Sequence, residues 1–287
     1  MNCDRREFIA AAGAGALATV RAACVPPLQW PLLPPPRRAD QLGDIGVQLY
    51  TVRTLLAKDF DGTMAQVARI GYKEVEFAGY YDRKPADLRK QLDGLGLSAP
   101  SAHVGLDALG DNWSRTLDDA ETLGHDYLVV AWLDQKDRST LAALRATIDK
   151  FNRAGAEATK RGIGFAYHNH DFEFTPVEGR LPYDVLLAEC DPDNVQFEMD
   201  LYWITKGGQD PVAYFEKYPG RFPMVHVKDM AAGEKMVSVG KGRIDWARIF
   251  IRRDDAGIQH FFVEHDEPAD PMASIAESYR YLRALRF

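Results

Sequence analysis

From Asp44 to the C-terminus the sequence predicts an α/β fold, a (β/α)8 TIM barrel forming a single domain over residues 44–287. Three observations carry this. Eight short runs rich in Val, Ile, Phe and Tyr alternate with amphipathic segments whose apolar residues recur at three- and four-residue spacing. Five of the joins read helix–Gly–strand, at Gly71, Gly96, Gly124, Gly162 and Gly257, where glycine supplies the left-handed turn that ends a helix. The first strand, Val47-Gln48-Leu49-Tyr50, runs into a polar loop rather than the Gly-rich turn of a doubly wound dinucleotide fold.

The expected strands are 45–50, 74–77, 97–103, 127–131, 163–168, 195–200, 224–228 and 258–264. Several are nearly continuously apolar, as strands covered on both faces are. The expected helices are 60–70, 84–95, 113–123, 139–161, 182–190, 211–217, 246–255 and 271–285. Asp210-Pro211 and Asp270-Pro271 pair a capping carboxylate with a proline in the first turn, and Asp245 is placed to cap the segment from Trp246.

The N-terminus reads differently. Residues 1–24 carry Arg5-Arg6, then Phe8-Ile9 and a weakly apolar Ala/Gly stretch, the order of a twin-arginine export signal. The stretch is too short for a comfortable membrane span. An exported, periplasmic protein is the expectation. Ala22-Ala23-Cys24 resembles the end of a lipobox, but Arg21 stands where an apolar residue is usual, so ordinary cleavage is expected over a lipid anchor at Cys24. Residues 25–43, with Pro26, Pro27, Pro31, Pro34, Pro35 and Pro36, read as a stiff linker. Cys190 is the one cysteine of the body, expected as a buried thiol. A net charge of −7 opposes non-specific nucleic-acid binding.

Polar residues gather where strands end. His168, Asp200, His226 and Glu264 each close or follow an apolar run, and a parallel barrel brings strand C-termini to one mouth. Two imidazoles and two carboxylates there make a divalent-metal site. Alternation puts Lys228 on the face of His226, and His170 on the face of His168. In Tyr167-His168-Asn169-His170-Asp171-Phe172-Glu173, His170 and Glu173 are candidate acid/base groups beside Glu264 and Lys228. Glu76, His103, Trp203 and Arg243 are candidate substrate contacts; Gly240-Lys241-Gly242 before a helix start is a weak anion-binding signal.

Tyr167-His-Asn-His-Asp-Phe-Glu, Met199-Asp-Leu-Tyr-Trp203, His226-Val-Lys-Asp229, Val239-Gly-Lys-Gly-Arg-Ile-Asp-Trp246 and Val263-Glu-His-Asp-Glu-Pro268 together resemble the xylose isomerase-like TIM barrels. That superfamily holds sugar phosphate isomerases/epimerases, inosose dehydratases and endonuclease-IV-like proteins. The resemblance runs from Asp44 to the C-terminus. It implies one Mn²⁺-type ion held by the ends of strands five to eight, with Asp200, His226 and Glu264 carried over and His168 standing where the family usually has glutamate. The mixed imidazole–carboxylate set suits Mn, Zn, Co or Fe.

A metal-dependent isomerase or epimerase acting on a sugar or keto-sugar through an enediolate is the leading expectation. A lyase or dehydratase eliminating from keto-glycosides or inososes shares its first step. A non-catalytic periplasmic sugar-binding protein is the alternative of another class. A small-molecule sugar is the expected partner, without nucleic acid or a membrane span; the sequence does not give the oligomeric state.

Overall fold

Period-two alternation sorts the strands of the barrel into an apolar outside and a mostly polar inside. The computed structural model describes residues 40–287. The expected export signal and the expected linker up to residue 39 lie outside the described residues. The strands are β1 (Gly46–Gln48), β2 (Glu74–Phe77), β3 (Ser98–Val104), β4 (Tyr127–Val130), β5 (Gly164–His168), β6 (Gln196–Asp200), β7 (Met224–Val227), β8 (Asp229–Met230), β9 (Met236–Val237) and β10 (His260–Val263). Eight of them close a parallel barrel in the order β1-β10-β7-β6-β5-β4-β3-β2, and β8 with β9 forms a small antiparallel pair.

Val47, Val75, Phe77, Leu128, Val130, Phe165, Tyr167, Phe197, Met199, Val225, Val227, Phe261 and Val263 join the large hydrophobic core that includes residues of the surrounding helices. Their neighbours one residue along take the opposite face. Val129, Ala166, Met224 and Phe262 form a separate small apolar cluster. Fully buried Gln48, Glu76, Ser101, Glu198, Asp200 and His226 belong to the same alternating set. Gly46 is required by space: a Cβ there would lie 2.5 Å from the Phe262 ring, an overpacked contact.

The helix ends follow the sequence. The carboxylates of Asp210, Asp245 and Asp270 accept from Val212 N, Arg248 N and Ala273 N at 3.1, 3.0 and 3.0 Å. The five join glycines have φ between +64° and +119°. The helix expected over 139–161 is present as Leu141–Lys160, capped by Thr140, which accepts from Ala143 N, and is preceded by a short helix, Gln135–Arg138, that was not expected. The helix expected over 246–255 divides into Trp246–Phe250 and Arg253–Ala256. The helix Leu201–Lys206 and the β8–β9 pair were not expected; both lie beyond strand ends, where they shape the mouth. At the start, Asp40 and Phe287 exchange backbone hydrogen bonds of 2.6 and 3.2 Å, so residues 40–43 are tied to the barrel. Cys190 is buried and free, and burial pushes its thiol up to about 12. Among the described residues no helix is long and apolar enough to cross a membrane.

Candidate metal centre and the cavity above it

The four residues expected to hold an ion come together. His168 ends β5, Asp200 ends β6, His226 is in β7, and Glu264 follows β10. One donor atom from each lies within 4.8 Å of the others, and all four side chains are buried. His168 Nε2 is 3.2 Å from Asp200 Oδ2. His226 Nδ1 is 2.6 Å from Glu264 Oε2, yet neither atom makes an aligned hydrogen bond to any partner. Two buried donors that close without pointing at one another fit a common cation between the strand ends. The residues present therefore fit a divalent ion.

Asp200 divides its oxygens. Oδ1 accepts from Tyr202 N and Trp203 N at 2.9 and 2.8 Å, capping Leu201–Lys206. Oδ2 faces His168 and the Lys228 ammonium, the latter at 3.0 Å. Asn169 Oδ1 accepts from Asp200 N at 3.0 Å and fixes the strand end. Burial pulls the His168 pKa down, to about 4, with His226 adding to the effect; a neutral imidazole is the ligating form. Lys228 also contacts Glu264 at 2.7 Å and Asp266 at 2.9 Å. Burial opposes its charge, but Asp200, Glu264 and Asp266 hold it well above the usual lysine value.

Beneath this layer His226 is gripped by its other nitrogen. Nε2 lies 2.7 Å from Glu76 Oε2 and 3.2 Å from Glu198 Oε2. His103 Nε2 joins the ring at 2.7 Å from Glu198 and 3.3 Å from Glu76. Glu76 is further fixed by Gln48 Nε2 at 2.7 Å and by the Ser101 hydroxyl. Burial opposes ionisation of Glu198, but His226 and His103 hold its carboxyl well below the usual range; burial and Glu198 push Glu76 up. A carboxylate on the far nitrogen sets the tautomer of a ligating histidine and aims its near nitrogen. Glu198→Gln is expected to weaken divalent-ion affinity about 10- to 100-fold, measured by chelator competition, with the barrel still folded.

A cavity of about 990 Å³ opens above the centre, lined among others by His103, His168, His170, Trp203, Lys228 and Glu264. His168 and His170 both line it, 4.9 Å apart between ring centroids, as alternation predicts. Three sequence assignments are corrected. Glu76 does not line the cavity; it faces the barrel interior and supports His226. Glu173 is not placed for catalysis. It is buried and accepts from the Tyr167 hydroxyl and, at 2.8 Å, from His170 N, so it holds the loop that carries His170. Arg243 lies away from the cavity, with its guanidinium 3.3 Å from Met230 Sδ. The Gly240-Lys241-Gly242 loop does bind an anion, but an internal one. The Asp229 carboxylate accepts from Gly240 N, Gly242 N, Ile244 N and Trp246 Nε1 at 2.8, 3.0, 3.3 and 3.3 Å.

Burial raises the Glu173 pKa to about 7, against the Tyr167 and His170 donors. A carboxyl raised in the folded state contributes stability that is full below its unfolded value near 4.5 and is lost as pH climbs toward 7. Thermal melts of Glu173→Gln are expected to fall less between pH 5 and pH 8 than wild type, by up to about 3 kcal/mol on the linkage scale.

Glu198, Asp266, Asn169 and Trp132 were not singled out from the sequence. For Glu198 the signal was present: Gln196, Glu198 and Asp200 alternate, so the face that carries Asp200 also carries Glu198.

The family model "Xylose isomerase-like TIM barrel" matches residues 64–285, and the chain belongs to that family. It is 24% identical over 266 residues to an inosose dehydratase of Geobacillus thermodenitrificans, covering 78% of this chain and 89% of the relative. A solved sugar phosphate isomerase/epimerase from Parabacteroides distasonis superposes with a TM-score of 0.76 at 29% identity, over 84% of this chain and 98% of that one. The zinc-bound IOLI protein shares the fold, with a TM-score of 0.65 at 15% identity over 84% of this chain and 96% of its own.

Proposed function

We propose that this chain removes the proton next to the carbonyl of a keto-sugar or keto-cyclitol and then expels an oxygen substituent from the next carbon, a metal-dependent elimination. The observation that carries the reading is the pairing of His103 with Glu198. His103 lines the cavity, and its Nε2 is engaged by Glu198 at 2.7 Å. With Nε2 donating to a carboxylate, Nδ1 keeps a free lone pair, the arrangement of a general base with its orienting group. Burial lowers the His103 pKa, but Glu76 and Glu198 outweigh it and raise it above the ordinary histidine value.

A divalent ion, when bound to His168, Asp200, His226 and Glu264, supplies a Lewis acid that draws negative charge onto the substrate carbonyl oxygen. We expect Mn²⁺, with Zn, Co or Fe as the other ions this donor set accepts. Lys228, a buried ammonium on the cavity wall, donates a hydrogen bond to the same developing charge. His103 takes the carbon-bound proton, and the electron pair passes into the enolate. As the enolate collapses, the carbon–oxygen bond breaks and the His103 imidazolium returns the proton to the leaving oxygen. One imidazole thus completes an elimination that releases water or an alcohol.

Isomerisation or epimerisation is the second reading, supported by the name of the Parabacteroides relative. Epimerisation requires a proton donor on the opposite face of the substrate. His170 lines the cavity, but burial, with His168 and Lys228 adding to it, depresses its pKa well below the ordinary value, which disfavours a protonated donor. The curated relatives named inosose dehydratase support the elimination branch. We retain the exported location as part of this proposal.

The test is Mn²⁺-loaded protein with keto-inositols and keto-glycosides in deuterated water. Elimination gives a conjugated enone with loss of water or alcohol. Deuterium in recovered sugar without that loss supports the second reading. Tight sugar binding with neither exchange nor loss contradicts both and leaves the binding-protein alternative.

A further inference from the structure

The mouth of the cavity is aromatic where its floor is charged. Among the described residues the exposed large hydrophobics are Tyr50, Trp132 and Ile251, at 41, 48 and 60% exposure. Tyr50 and Trp132 both line the cavity above the candidate metal centre. Tyr50 follows β1 and Trp132 follows β4, three strands apart around the closed barrel. Trp203, after β6, adds a third ring to the wall.

These rings are braced. Trp132 meets His170 and Phe172 edge-on at 4.7 and 4.9 Å, and the Arg138 guanidinium covers Phe172 at 3.6 Å. Arg53 covers the Tyr50 ring at 3.8 Å while donating to Tyr50 O at 2.9 Å and Asp266 O at 2.6 Å. Keeping two braced aromatic side chains in water around a pocket is the signature of a surface that stacks on a ligand ring. The cavity, at about 990 Å³, stands at the top of the range of roughly 300–1,000 Å³ that encloses drug-sized ligands. Of the lysines that line the cavity, Lys206 is paired with Asp171 at 2.8 Å and lies over Trp203 at 4.6 Å, and Lys235 stands at the rim, so the sugar phosphate is a necessary comparison in the test below.

We propose that Tyr50 and Trp132 form a subsite for a second ring, and that the substrate is a two-ring keto-glycoside, a keto-sugar bonded to another sugar or an aryl group. The inference rests on the elimination reading above and refines it. The keto-sugar lies on the charged floor; the glycosidic oxygen is the leaving group; the ring at the rim departs as the alcohol, carrying the proton returned by His103.

The experiment compares methyl and aryl glycosides of the same keto-sugar, and the corresponding sugar phosphate, on the Mn²⁺-loaded full chain. Binding is read by calorimetry and turnover by enone formation. Wild type is expected to favour the aryl glycoside about tenfold or more over the methyl glycoside in affinity. Trp132→Ala and Tyr50→Ala are each expected to reduce that preference severalfold to tenfold, with metal content equal to wild type confirming the fold. Equal affinity for one- and two-ring ligands, an unaltered preference in both variants, or preference for the sugar phosphate overturns the subsite. Binding preference without turnover would strike the elimination chemistry while leaving the subsite standing, so the two failures are distinct.

Discussion

Glu264→Gln is expected to strip the centre of its ion and to lower turnover by about a hundred- to a thousandfold. The substitution preserves volume and removes the charge at the point where His226 Nδ1 and Lys228 Nζ converge, at 2.6 and 2.7 Å. Glu264 supplies a buried anionic donor, one of the two in the set. Its loss should exceed that of Glu198→Gln, which acts on the ion only through His226. The fold should survive, because Lys228 retains Asp200 and Asp266 at 3.0 and 2.9 Å. Ion affinity in wild type should also climb with pH. Burial lowers the His226 pKa, but Glu198, Glu264 and Glu76 outweigh it and hold the ring well above the usual value, so an ion entering at Nδ1 displaces a proton. Metal titration across a pH series reads that proton directly; affinity independent of pH would contradict it.

His103→Asn is expected to behave differently: turnover down by about 10² to 10⁴ with the ion still bound in wild-type amount. His103 is not one of the four residues proposed to hold the ion; it belongs with Glu76, Glu198 and His226 to the cluster on the other side of His226, lines the cavity and contacts Glu198. Loss of solvent exchange at the substrate carbon, with metal content and sugar affinity retained, identifies it as the base. Retained exchange would move the proton-transfer role to another cavity residue.

The barrel was legible because its physics repeats. The units share a short apolar strand and an amphipathic helix, five of the joins carry a glycine that turns one into the other, and the copies agree. The candidate metal ligands were legible for a related reason. In a parallel barrel the sequence position of a strand end is also a spatial position, so His168, Asp200, His226 and Glu264 needed no contact information to be grouped. What alternation alone does not give is depth. Glu76 and Glu198 face inward like the ligands, but they contact the Nε2 side of His226, and the tilt and register that place them there are tertiary. Alternation alone therefore suggests Glu76 as a substrate contact, and the spacing of Glu198 to Asp200 shows only that the two share a face. Loops were the least legible. Glu173 turns away into a buried pocket beside Tyr167, and the glycine loop before Trp246 closes on Asp229, an anion already present in the chain. Nothing local in those segments states which way they fold.

Anomalous diffraction from crystals of the Mn²⁺-loaded protein tests the central claim most directly. The account predicts one strong peak within bonding distance of His168, Asp200, His226 and Glu264. No peak there, or a peak held instead by Glu76, His103 and Glu198 on the far side of His226, would contradict it.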